Sequence, residues 1–118
     1  MAQAITHFAV GATLTRLLET LLPAEARYPP VLALVGGAWA MLPDASKLVD
    51  SDAVYAFHYP RWADLFWGHR TLDRIDGDDS TLLGALAVAA FILVTAVGER
   101  RSYRSARPSV PAEPVRVD

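Results

Sequence analysis

Hydrophobic and polar positions divide the chain into three apolar stretches separated by polar connections, and the last stretch is the plainest. Thr81 to Gly98, TLLGALAVAAFILVTAVG, carries no charged side chain. At 1.5 Å per helical residue such a segment is about 27 Å long, close to the hydrocarbon thickness of a bilayer. Asp76, Asp78 and Asp79 precede it, Ser80 stands where an N-cap belongs, and Glu99, Arg100, Arg101 and Arg104 follow. The pattern predicts a transmembrane helix over 80–98.

The first stretch predicts a helix over 3–22. Ile5, Phe8, Ala9, Ala12, Leu14, Leu17, Leu18 and Leu21 form a broad apolar surface, interrupted by His7, Arg16 and Glu19. Thr6, Ala9, Gly11, Ala12, Thr13 and Thr15 are small enough for close helix contact, which suits packing inside a bundle. Leu17 to Leu22 followed by Ala24-Glu25-Ala26 resembles a signal-peptide core with a cleavage site. The amino end lacks the usual positive charge, and Arg16 and Glu19 break the core, so a retained helix is expected. Pro23 ends it.

The middle stretch, 30–42, is apolar but short, and Pro43-Asp44 stops it. It reads as a tilted short span, a half-membrane helix or a buried core helix, with the short span preferred. Residues 59–75 predict one amphipathic helix, with Pro60 in its first turn, Gly77 just past its end, and Trp62, Leu65, Phe66 and Trp67 on a face suited to the headgroup zone. The expected fold class is therefore all-α: a small integral membrane bundle of about three membrane helices plus one interfacial helix, followed by a disordered tail over 99–118.

Composition supports this picture. The chain is 53 % hydrophobic over 118 residues, high for a soluble domain of its size. A soluble helical binding domain with a buried last helix is the competing architecture. Cysteine is absent, which excludes disulfides and thiolate metal ligands. The net charge of −2 says little, but its distribution says more, because Arg100, Arg101, Arg104, Arg107 and Arg116 crowd the carboxyl end. Basic flanks stay in the cytoplasm, so the tail is expected inside a multi-pass protein of the cell membrane. The bilayer is its expected partner, and no nucleic-acid role is expected. By parity, His7, Asp44 and the loop over 45–80 fall on the outer side together.

That shared side is where chemistry could assemble. On a helix, His69 and Asp73 lie at i and i+4 and can offer an imidazole nitrogen and a carboxylate oxygen to one cation. Asp44 and His7 could complete a mixed nitrogen and oxygen shell suited to zinc or manganese. A divalent ion there would acidify a bound water and polarise a phosphoryl or acyl oxygen, and Arg70 could steady an anionic group. On these grounds Asp44, His69 and Arg70 are candidate catalytic residues, and His7, Asp44, His69 and Asp73 candidate metal ligands. The plainer alternative is a local His69–Asp73 ion pair, Asp44 capping a turn and His7 bonded to a neighbouring helix. His58, within Phe57-His58-Tyr59-Pro60, could be a ligand but reads better as part of an interfacial aromatic cluster. Asp76 to Ser80 reads as a turn and helix cap, not a calcium loop.

Thr6-His7 in the first helix, Leu42-Pro43-Asp44 after a short apolar helix, and Gly68-His69-Arg70 before another resemble the small membrane-bound metal-dependent hydrolases of bacteria and archaea. The resemblance covers 3–98, in order and with similar spacing. It implies a multi-pass helical fold, a hydrolytic activity and a metal held in part by His7, Asp44 and His69. The chain departs from that pattern at Ser46, where the family typically has a second Asp, and at Lys47, often a His. After His69-Arg70 the family commonly carries Gly-x-Thr-His-Ser, so here Asp73 stands at the Thr and Arg74 at the His. A non-catalytic packing or assembly protein that has lost part of the site is the alternative. The substrate and the oligomeric state are not encoded in any motif.

Overall fold

The structure is a computed structural model describing residues 2–22, 27–58 and 60–106. Among them it is all-α, with five helices and no strand: α1 (Ala4–Leu21), α2 (Pro29–Met41), α3 (Asp52–His58), α4 (His69–Ile75) and α5 (Thr81–Ser105). Two 3-10 helices, Leu42–Lys47 and Arg61–Leu65, join them. The proposed cleavage motif at 24–26, Pro23 and Tyr59 lie outside the described residues.

α1 is the central helix, packed against α2 on one side and α5 on another. Glycines set how close the pairs come. A Cβ on Gly11 would stand 2.5 Å from the Ala40 Cβ and 2.6 Å from the Gly36 carbonyl oxygen, and one on Gly37 would enter the Phe8 ring. Backbone therefore lies against backbone along the α1–α2 seam, the close approach that small residues permit. Against α5, Gly84 faces the Thr6 hydroxyl and Gly98 faces the Arg16 guanidinium. The start of α1 is tied to the start of α5 by Gln3, whose amide donates to the Asp79 carbonyl at 3.0 Å and lies 3.3 Å from the Thr81 hydroxyl.

Local signals explain where the helices begin. Pro29 and Pro30 occupy the first turn of α2, where a missing N–H costs nothing. Ser80 caps α5, its Oγ accepting the Leu83 N–H at 3.2 Å, while Asp76 Oδ1 accepts the Ser80 N–H at 2.7 Å. The expected single helix over 59–75 is corrected. Its first part is the 3-10 helix Arg61–Leu65, and Trp67 (φ 54°) and Gly68 (φ 71°) turn the chain through left-handed conformation before α4 starts afresh at His69. Asp64 holds the restart, accepting the Thr71 N–H at 2.8 Å with Thr71 Oγ1 at 3.2 Å from its other oxygen. α3 is an element the sequence pattern did not predict. α5 runs past Gly98 to Ser105, so Arg100, Arg101 and Arg104 are helical where a disordered tail was expected; 107–118 lie outside the described residues.

The distribution of residue types is inverted relative to a water-soluble core. Among the described residues the buried apolar side chains, apart from Phe66 and Pro43, are alanines: Ala2, Ala9, Ala12, Ala33, Ala40 and Ala63. Large side chains such as Leu34, Val35, Leu82, Leu86, Ile92 and Leu93 are exposed. Of the described helices, α5 alone is long and apolar enough to cross a membrane by length and composition.

Candidate metal centre

The carboxyl end of α2 organises the site. One carbonyl from its last turn and one from the 3-10 helix that follows are taken up by imidazoles from two other elements. His69 Nδ1 donates to the Ala40 carbonyl at 2.9 Å, and His58 Nδ1 donates to the Pro43 carbonyl at 3.0 Å. For His69 this bond fixes a tautomer: a neutral imidazole with its proton on Nδ1 presents a lone pair at Nε2. The Ser46 hydroxyl also donates to Pro43, at 3.1 Å, so the 3-10 helix that carries Asp44 is held from within.

Both Nε2 atoms look inward at carboxylates. His58 Nε2 is 3.1 Å from Asp73 Oδ2, and His69 Nε2 lies 3.6 Å from that oxygen and 3.7 Å from Asp44 Oδ1. From α1, His7 stacks on His69 with ring centroids 3.7 Å apart, and its Nε2 is 3.1 Å from Asp73 Oδ1 and 3.9 Å from Asp44 Oδ2. His7, His58, His69 and Asp44 are each no more than 5 % exposed. Two sets of ligand atoms, His7–His69–Asp73 and Asp44–His58–His69, converge with every pair within 4.8 Å.

The electrostatics favour a cation at the centre. Lone pairs facing carboxylate oxygens repel unless a proton or a metal ion lies between them. His69 Nε2 and Asp44 Oδ2 are buried without a hydrogen-bond partner, a condition rare in folded proteins and costly where it occurs. Burial, with His7 alongside, lowers the His69 pKa, so its imidazole is neutral at pH 7 and able to ligate. Burial alone would raise the Asp73 pKa. Hydrogen bonds from His7 and from the Ala2 N–H, at 2.7 Å, instead hold its carboxyl well below the usual range. The negative end of the α2 dipole points the same way. Ligand atoms sharing an ion through bonds of about 2.1 Å lie about 3.0–3.4 Å apart; the nitrogen–oxygen pairs facing each other here stand 3.1–3.9 Å apart.

The four residues read from the sequence as candidate ligands, His7, Asp44, His69 and Asp73, lie together here, and His58 lies beside them. It was read as one member of an aromatic cluster, and that reading is right only for its neighbours. Phe57 packs edge-on against Trp62 at 4.1 Å and near Phe66 at 5.5 Å, while Phe66 stacks on Trp39 at 4.6 Å. This aromatic packing holds α3 against the end of α2 and turns His58 inward. Arg70, expected beside the reacting group, is half-buried on α4, directly after His69. Arg74 is exposed and blocks nothing, and Asp76 serves the start of α5.

Comparison with protein-family models, curated proteins and solved structures finds no match to this chain.

Proposed function

We propose that the chain is a membrane-embedded metalloprotein that holds one divalent ion, zinc or manganese, between His7, Asp44, His58, His69 and Asp73, and uses it in hydrolysis. One observation carries the reading: two imidazoles are pinned through Nδ1 to backbone carbonyls, with their Nε2 atoms turned toward two carboxylates in a buried space. Imidazoles oriented by carbonyls are the usual support of metal-ligating histidines. The ion would acidify a bound water at neutral pH. Asp73, the most exposed of the five at 13 %, would lie at the solvent edge of the ion's shell. The hydrolytic step rests on the resemblance of the Thr6-His7, Pro43-Asp44 and His69-Arg70 segments to metal-dependent hydrolases.

The membrane reading is supported by the inverted surface and by α5, of whose most apolar window, mean hydropathy 2.3, only 11 % is buried. A core helix of a soluble protein would be covered. In this reading α1, α2 and α5 cross the bilayer, Arg100, Arg101 and Arg104 lie on the cytoplasmic side, and the metal centre with its aromatic neighbours faces the outer interface.

Metal analysis of the purified protein in detergent tests the centre. One equivalent of metal, lost in His58→Ala, His69→Ala and Asp44→Ala, is expected; a metal-free protein, or variants that keep full occupancy, would overturn it. A second reading, a non-catalytic packing module with a structural ion, is favoured by the deep burial of four ligands, since structural sites are closed and catalytic ones open. It predicts zinc-dependent stability with no turnover of phosphate or carboxylate esters, lipid esters included.

A further inference from the structure

We infer that Lys47 is a built-in competitor of the metal ion, docked on the carboxylate the ion needs and displaced when the ion binds. The inference rests on the metal reading above and assigns that site its regulation. In a 3-10 helix, residues at i and i+3 stand one above the other. Leu42–Lys47 is such a helix, and it puts Lys47 over Asp44 with Nζ 2.8 Å from Oδ1. The ammonium also lies 3.4 Å from the Ala2 carbonyl oxygen, which fixes it across the mouth of the cluster.

Charge explains why something must sit there. Asp44 is buried at the end of α2, and a buried carboxylate without a cation is strongly disfavoured. Lys47 supplies that cation when no metal is present. A divalent ion bound to Asp44 would stand within about 4–5 Å of the ammonium, and two cations in so little water repel. The lysine can leave, because its side chain is 38 % exposed and its flexible stem reaches water by rotation. Two arrangements follow, lysine in or metal in, and each ligand of Asp44 weakens the other by the same factor.

Lys47 is the chain's sole lysine, which makes the exchange directly readable. In the full-length protein in detergent micelles, zinc is expected to raise the rate of acylation of the Lys47 amine by an amine-reactive ester at least threefold, with the labelled peptide identified by mass spectrometry. Lys47→Met is expected to bind zinc about tenfold more tightly than the native chain, the range of one ion pair with a buried partner. Lys47→Arg should stay within about twofold of native, as should Arg61→Gln, which removes an exposed charge that makes no such contact. Unchanged labelling by zinc in a protein that binds zinc overturns the inference and leaves the metal centre standing. A native chain that binds no zinc overturns both. Should Lys47→Met fail to fold, the labelling of the native protein decides alone.

Discussion

α1 carries two buried polar clusters, one near each end, and they are built on opposite principles. Near its start, His7 joins two further imidazoles and two carboxylates, a set rich in lone pairs with Lys47 at its rim. Further along, Arg16, 4 % exposed, sends Nη1 to Glu19 at 2.7 Å and Nη2 to Glu99 on α5 at 3.3 Å. The second cluster brings its own cation and closes an ion triad between two helices. The first leaves buried acceptors facing one another. The Arg16 guanidinium fastens α1 to α5 although Arg16 Nε and Glu19 Oε1 lack hydrogen-bond partners, whereas the acceptors around His69 are arranged to receive a cation.

The sharpest way to break this comparison is to remove the metal. Zinc at a thousandfold excess over its Kd should stabilise the native protein by about 4 kcal/mol, read as a rise in the midpoint of thermal unfolding in detergent. His69→Ala should abolish that rise, and Arg16→Leu should keep it; a rise that survives His69→Ala places the ion elsewhere. Next in size, Arg16→Leu leaves Glu19 and Glu99 without their shared cation. Breaking a buried pair costs about 3–5 kcal/mol, but Glu99 is half in solvent, so about 2 kcal/mol is expected after allowance for screening. An unfolding titration that shows no loss would reduce the triad to an incidental contact.

Gly11 lies between the two clusters and separates them further. Gly11→Ala forces a methyl onto the Gly36 carbonyl and Ala40, overpacking by about 1–3 kcal/mol. The displaced helix is α2, which supplies the Ala40 carbonyl and leads into Asp44. Zinc affinity, measured by competition with a chromophoric chelator, should fall with stability, although Gly11 touches no ligand. The smallest effect is expected from Ser80→Ala, the loss of one N-cap. It should cost about 1 kcal/mol and leave zinc affinity unchanged; a large drop in affinity would show that the start of α5 belongs to the site.

Much of the candidate site is legible before folding is considered. The His69–Asp73 pair follows from helical spacing alone, and the two residues do lie on one face of α4. His7 and Asp44 stand out as polar residues at the ends of apolar stretches. His58 does not stand out, because its role depends on the Pro43 carbonyl, which becomes available only where α2 ends and the chain folds back. The surrounding aromatic residues point to a cluster, and the cluster exists, but backbone position alone decides that His58 faces away from it. The break within 59–75 is equally hidden. Its cause is a pair of left-handed residues, Trp67 and Gly68, and an Asp64 cap that forms only once the chain has turned.

By itself the sequence determined the helical class, the three apolar segments, the cap at Ser80, and four residues with the chemistry of metal ligands. These depend on periodicity, side-chain size and local hydrogen bonding, all of which operate over a few residues. Tertiary structure decided that the four converge, that His58 lies with them and that Lys47 covers Asp44. Those outcomes depend on where the α2 carbonyls end in space and on how closely glycines let α1 and α2 approach, distances that no local pattern contains.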